Sequence, residues 1–373
     1  MYKILKKRFI EKANLYLFDK NELELLKNRN NINYIKSSNQ IFFQCTLDHF
    51  FLNLYAEVIK KEGFNNIEYV GKIEIPIRLN IFDIILIFPF ILKKISQLIL
   101  IQKWKKLYRS IGINRFVNTS FFSISSFYKA LKLFFSIKSL KNLKKLKIED
   151  VLVGDLIIDS VIRFRESKWP TVKINSLSMI IYYYQTFNYI KFYGNLPKKC
   201  NLIKAFITQS VFIYHGIAIR KLFNYTKVFC SASLDNCLFK EIKEYNDNGI
   251  PYASRYKETF IKNYSEDHIK IGVKQFSSRF KGKDDIGWLN DFGMHPYNSN
   301  FLNSKFKFNG VLFLHDFYDG PHFYGKTLFL DFYQWTLFTL NFIKKNKLNI
   351  AVKIHPFQSN RSKKVCIELK RKY

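Results

Sequence analysis

Three of the chain's seven histidines lie near its C-terminal end, His315, His322 and His355, and two aspartates, Asp316 and Asp319, fall between the first two. The segment reads "FLHDFYDGPHFYG", and "VKIHP" follows some thirty residues later. These residue types suit a small set of reactions. An imidazole beside an ammonium, His355 with Lys353, can hold a phosphate or diphosphate. A carboxylate such as Asp319 or Asp316 can take a proton from a hydroxyl, and His315 or His322 can assist that transfer or hold a leaving-group oxygen. Each residue also has a plainer reading: Asp316 as the cap of a turn, His322 as a loop histidine with a local partner. The His/Asp pattern is also compatible with a divalent ion.

For these residues to meet, the chain around them must bring two segments to one edge. "GVLFLH" (Gly310–His315) is a short apolar run bounded by turn signals, as expected of a buried parallel strand. Thr327–Lys345 is apolar almost all round and reads as a buried helix ending in Lys344 and Lys345. "LNIAVKI" (Leu348–Ile354) is a second strand, stopped by His355-Pro356. This is one βαβ unit. Its right-handed crossover places both strand ends on the same carboxyl edge, where open α/β sheets take their ligands.

The same grammar recurs upstream. Asn39–Phe64 reads as strand, loop and helix, and "EDVLVGDLIIDSVIRF" (Glu149–Phe164) as strand, turn at Gly154 and helix. Asn201–Cys230 reads as strand, a helix from about Gly216, and a further strand. Alternation of this kind predicts an α/β protein with parallel sheets. Tyr245–Lys307 is polar and turn-rich and is read as loops and short helices between two lobes. The expected division is an N-terminal extension over 1–38, an N-terminal α/β lobe over 39–300 with a basic and apolar helical insert around 81–147, and a partial C-terminal α/β lobe over 301–373.

Composition narrows the class. The net charge is +32 and the aromatic fraction 18%. Such an excess points to phosphate-bearing partners, whether nucleic acid, nucleotide or anionic lipid; the abundance of Lys, Asn and Ile is equally the bias of an AT-rich coding genome. The basic residues are dispersed and carry no RRM, zinc or helix-turn-helix signature, which argues against nucleic acid. The 5 cysteines are scattered without a Cys-x-x-Cys, as expected of reduced thiols in a cytosolic protein. The basic N-terminus lacks the apolar run and cleavage site of a signal peptide. Ile81–Ile101 is the most apolar stretch, but Asp83, Pro89, Lys93 and Lys94 interrupt it, leaving a buried helical element, an interfacial helix or a span as readings in that order. Lys129–Asp150 is a basic amphipathic stretch, read as a solvated helix face or a membrane-surface contact.

"VLFLHDFYDGPHFYG…LFLDFYQW" with "VKIHP" resembles bacterial capsule and surface-polysaccharide glycosyltransferases of the GT-B type. "VLVGDLIIDSVIRF" resembles a segment of their N-terminal lobe, and the pattern is similar to the Kdo- and sialic-acid-transferring enzymes. The resemblance implies two Rossmann-like lobes, here with the second incomplete. It implies that His355-Pro356 contacts the donor phosphate and that Asp319, just before Gly320, is the base, with Asp316 the alternate. "FIYHGIAIR" resembles a family segment as well, making His215 a weaker candidate. On the acceptor side, Asp155 with Arg163 reads either as part of an ion-pair ladder shared with Asp159 or as recognition of the acceptor hydroxyl. No Asp-x-Asp motif is present, so transfer is expected without a metal or other cofactor. The implied partners are a nucleotide-sugar donor, CMP-linked sugars among them, a glycan or lipid-linked glycan acceptor and an anionic membrane surface, with no nucleic acid. The implied location is cytoplasmic and peripheral to the inner membrane. Lys307–Tyr373 is shorter than the ~100–150 residues of an ordinary lobe; the corresponding alternative is an inactive remnant or scaffold of such an enzyme.

Overall fold

The computed structural model describes residues 18–27, 37–63, 65–75, 87–119, 123–165, 170–233, 238–244, 261, 264–280, 307–324, 327–355 and 359–373. The expected extension over 1–38 falls mostly outside these residues, as do 81–86, most of 245–306, and Pro356. The chain divides into two units. The first comprises Met1–Glu166, Val172–Ser231 and Phe239–Gly249, and the second Ser167–Thr171, Ala232–Leu238 and Ile250–Tyr373. The division therefore falls at residue 249/250, with two short segments crossing over, where the sequence pattern places it at 300/301.

The first unit is built on a six-stranded sheet with strands β1 (Asn39–Cys45), β2 (Ile67–Ile73), β3 (Arg115–Phe116), β6 (Leu202–Ile207), β7 (Lys227–Ser233) and β8 (Leu238–Glu241), in the order β3-β2-β1-β6-β7-β8. The pairings β1–β2, β1–β6, β2–β3 and β6–β7 are all parallel. β1, "NQIFFQC", is buried from its second residue to its last. Such an unbroken buried run, rather than alternation, is what a central parallel strand covered on both faces requires. After the short α1 (Lys20–Lys27) that precedes β1, the helix α2 (His49–Glu62) follows the strand. Asp48 caps its N-terminus by accepting from Phe50 N at 2.8 Å, and Gly63 ends it at φ 78°, a conformation that favours glycine. Phe43, Tyr55, Tyr108, Ile113 and Phe206 belong to the core on this side of the sheet.

Between β2 and β3 runs α3 (Ile87–Ser110), with Pro89 in its first turn, where a missing N–H costs nothing. Its C-terminal half anchors the core through Trp104, Leu107 and Tyr108. The stretch Ile81–Ile101 is thus, from Ile87 onward, part of one long helix. Among the described residues no helix is long and apolar enough to cross a membrane.

Lys129–Asp150 is not a single helix. α4 (Ile124–Ser136) ends before Ile137, Ser139 caps the short α5 (Leu140–Lys144), and β4 (Lys147–Ile148) turns back on β5 (Val151–Leu152) as an antiparallel pair. Val151–Val153 is accordingly part of this small hairpin and not a strand of the parallel sheet. Leu146 O accepts from both Val153 N and Gly154 N, so the chain is already turned when α6 (Gly154–Phe164) begins. α7 (Ser178–Lys199) then leads to β6, and α8 (Ile217–Leu222) leads to β7.

In the second unit, α9 (Glu266–Phe280) lies within the region read as loops and short helices. The βαβ unit forms as the pattern predicts: β9 (Gly310–Phe313) and β10 (Ile350–Lys353) pair in parallel, with α10 (Phe332–Lys345) between them. Two differences follow from its size. Among the described residues its sheet has two strands, and Val311 and Phe313 are exposed where buried strands were expected. The helix begins at Phe332 rather than Thr327, and Phe338 and Phe342 face outward. The covered side is completed by α11 (Asn360–Lys372), whose Val365, Cys366 and Leu369 pack with Leu314, Phe317, Tyr318 and Leu340.

Candidate functional site

The carboxyl edge of the second unit carries the residues singled out by type and spacing. His315 leaves β9 and His355 leaves β10, and the parallel register of Phe313 with Lys353 sets them side by side. Their ring centroids are 5.5 Å apart at an interplanar angle of 33°. His315 is held by stacking on Phe332, centroids 4.2 Å apart, and its Nδ1 lies 3.9 Å from Asp319 Oδ2. Burial, and then the neighbouring His315, hold the His355 imidazole below its ordinary pKa. His315, Asp319 and His355 are all partly open to solvent. They form an edge on which two imidazoles and a carboxylate can act together on a bound anion and a hydroxyl.

The other predicted residues serve different ends. Asp316 is buried, and its carboxylate accepts from Tyr318 N at 2.8 Å, Ser359 N at 2.7 Å and Ser362 Oγ at 2.7 Å, with Ser359 Oγ at 3.4 Å. Burial pushes its pKa up, but these hydrogen bonds outweigh it and hold the carboxyl below its usual value. Asp316 therefore ties the loop after β9 to the N-terminus of α11, and its oxygens are committed to that junction; Asp319, half-exposed beside His315, is the remaining base candidate. His322 lies in the 3-10 turn Pro321–Tyr324, close enough to Asp331 to influence its titration, while Asp331 caps α10 by accepting from Gln334 N at 2.7 Å. Lys353 is exposed, with Nζ 5.6 Å from the centre of the Phe313 ring. Pro356 lies outside the described residues.

In the first unit, a second cluster occupies the carboxyl ends of β1, β2 and β6. The strand order reverses between β1 and β6, and such switch points open a crevice beyond the strand ends. Gln44, Lys72, Glu74, Tyr193, Thr208 and His215 meet there, all buried. Their hydrogen bonds fix one another's orientation. Gln44 Nε2 donates to Tyr214 O at 2.7 Å and Tyr193 Oη at 3.0 Å, which turns Gln44 Oε1 toward His215 Nδ1. An amide oxygen only accepts, so His215 Nδ1 carries the proton. Thr208 Oγ1 is 3.1 Å from the same nitrogen. Glu74 receives Lys72 Nζ, Tyr193 Oη at 2.9 Å and, on its other oxygen, Tyr189 Oη at 2.9 Å. Burial, with Lys72 adding to it, lowers the His215 pKa to about 3, so the ring is neutral at physiological pH.

His215 reaches this place through an unusual backbone. Phe212 takes φ 64° and opens the π-turn Phe212–Gly216. Bulky residues rarely adopt that region, and π-turns concentrate at sites that aim a side chain. At Gly216 a Cβ would stand 2.3 Å from Leu156 Cδ2, so the turn packs directly on α6. Asp155, the acceptor-side candidate on α6, forms a two-pronged ion pair with Arg220 of α8 at 2.8 and 2.6 Å. It binds α6 to α8, while Arg163 is exposed on α6. His215 and Asp155 thus hold the switch-point end of this unit in shape from within.

Gln44, Lys72, Glu74, Tyr189 and Tyr193 were not among the residues picked from the sequence. A signal exists for the first three: "FFQC" and "VGKIEIP" each set polar side chains into an apolar strand, and Lys72 and Glu74 at i and i+2 share one face. The tyrosines, on α7, have no such mark.

Among the described residues one group, Asp19, Glu22 and His49, has oxygen and nitrogen atoms close enough to share a metal ion. Lys103 Nζ sits 2.9 Å from Glu22, and Asp19 and Glu22 each accept from the other's backbone N–H at 2.8 Å. The ammonium already supplies the positive charge there. Cys45, Cys200, Cys230 and Cys366 are buried thiols, not disulfide-linked. No protein-family model matches the chain, and no curated protein or solved structure matches it.

Proposed function

We propose that the chain is a glycosyltransferase of GT-B type that moves a sugar from a nucleotide-activated donor to a growing surface glycan. The observation that carries this reading is the pairing of His315 with His355 at the ends of two adjacent parallel strands, with the Asp319 carboxylate beside His315. In this reading the carboxyl edge of the second unit, with His315, Asp319 and His355, takes the donor. Asp319 removes the proton from the acceptor hydroxyl as its oxygen attacks the anomeric carbon. The bond from that carbon to the donor phosphate breaks, and the N–H groups of His355 and His315 stabilise the oxygen that leaves. Lys353, the last residue of β10 and two positions before His355, adds a positive charge nearby.

The test is the thermal stability of the full chain with CMP, UDP and GDP. A ligand at a hundredfold excess over its Kd stabilises by about 2.7 kcal/mol, so one nucleotide class should raise the melting midpoint. His355→Ala should remove that shift, and Asp319→Asn should keep the shift while abolishing turnover. A nucleotide shift undiminished in His355→Ala overturns the phosphate role. A folded wild-type chain that answers to no nucleotide favours a scaffold without donor binding.

A further inference from the structure

α4 presents an apolar stripe to solvent. At 3.6 residues per turn, Ile124, Tyr128, Leu131 and Phe135 fall within about 60° of one another around the helix. Ile124 is 77% exposed, Tyr128 69% and Phe135 67%, while Leu131 is half-buried. Phe127, at the flank, is 42% exposed, its ring 6.5 Å from that of Tyr184 on α7. The opposite face of α4, with Ser126 and Ala130, is buried. An ordinary surface helix turns its apolar residues inward and its charges outward. Here an apolar ridge is turned outward, and Lys129 and Lys132 line one side of it, both exposed.

The charge around the stripe has one sign. Residues 84–148 contain fourteen Lys or Arg and no Asp or Glu. Lys138, Lys141 and Lys145 follow α4 directly and are exposed. An aliphatic and aromatic ridge flanked by ammonium groups is complementary to one kind of surface, an anionic lipid leaflet: the ridge enters the boundary between headgroups and chains, and the lysines meet the phosphates. A second copy of this face would oppose cation to cation. A nucleic acid would satisfy the lysines but leave Ile124 and Leu131 without partners, since bases stack on rings.

We infer that α4 is a membrane-surface anchor, with Ile124, Tyr128, Leu131 and Phe135 seated in an anionic leaflet and Lys129 and Lys132 on its headgroups. It deepens the glycosyl-transfer reading, for which a lipid-linked acceptor lies at such a surface, but its test needs no nucleotide, so either can fail alone.

The experiment is co-sedimentation of the full chain with phosphatidylcholine vesicles, with and without phosphatidylglycerol. The wild type should partition onto the phosphatidylglycerol vesicles only. The triple variant Ile124→Ser, Tyr128→Ser, Phe135→Ser should lose more than about tenfold of that partition at an unchanged melting midpoint. Lys129→Gln with Lys132→Gln should weaken it roughly 30-fold at low salt, from about 1 kcal/mol for each lysine near an anionic surface. Phe135→Ser alone reads the same surface should the triple variant fold poorly. The inference is overturned if the folded wild type ignores phosphatidylglycerol vesicles, or if the serine variants bind them as wild type does. It is overturned equally if those variants instead dissociate a dimer or release a bound oligonucleotide.

Discussion

Acidification should weaken the first unit through one side chain, His215. Its Nδ1–H is committed to Gln44 Oε1, its ring is buried, and the Lys72 ammonium belongs to the same cluster. The imidazole's pKa falls from 6.5 to about 3. The sign follows directly. The unfolded chain binds the proton first as pH drops below 6.5, and the folded chain refuses it until about pH 3, so stability is lost across that window. Between pH 7 and pH 5 the difference amounts to about 2 kcal/mol, at ~1.4 kcal/mol for each pH unit below the unfolded pKa. Denaturant unfolding followed by circular dichroism at pH 7, 6 and 5 measures it. His215→Gln removes the titrating group: it should be less stable than wild type at pH 7, yet its stability should fall by about 2 kcal/mol less between pH 7 and pH 5. Equal slopes for wild type and variant would refute the reasoning, because they would mean that the buried ring accepts its proton without cost.

Three further outcomes follow from other contacts. Gly154→Ala places a Cβ 1.8 Å from Leu143 O, a backbone atom that cannot swing aside, so the variant should lose on the order of 3 kcal/mol or fail to fold, as urea unfolding would record. Asp316→Ala leaves Ser359 N, Tyr318 N and Ser362 Oγ without their acceptor and should destabilise the second unit by about 2–4 kcal/mol, with earlier hydrogen exchange in α11 than elsewhere in the core. Nucleotide binding at the second unit should strengthen as pH falls from 7 toward 5.5, because His355 is mostly neutral in the free protein and an anion favours its charged form. A binding constant independent of pH in calorimetry would separate His355 from the phosphate.

Much of the architecture is legible in residue order. Alternating apolar runs and helical spacing identify α2, β6 and the β9–α10–β10 crossover, because period and punctuation are local properties of the chain. The crossover rule then places His315 and His355 on one edge without any knowledge of distance. Chain order alone does not tell which side chains the surrounding helices will occupy. Asp316 and Asp319 differ by three positions and share a type. Only the return of α11, with Ser359 and Ser362, converts the first into a buried junction, while the second stays half-exposed beside His315. Asp155 reads locally as one member of an ion-pair ladder with Asp159 and Arg163 on its own helix; in the folded chain it meets Arg220, more than sixty positions on.

The same division holds at the switch point. The alternation of strands and helices predicts an α/β protein with parallel sheets, and the structure adds β2 and sets it and β6 on either side of β1. It does not determine that Gln44, Glu74, Tyr193 and His215 close into one buried network, because each of those hydrogen bonds joins residues far apart in sequence. The chain by itself also spells the basic, acid-free run from 84 to 148. Which face of α4 is turned outward was decided by tertiary packing: α7 covers the side with Ser126 and Ala130, and the apolar ridge is the side that remains.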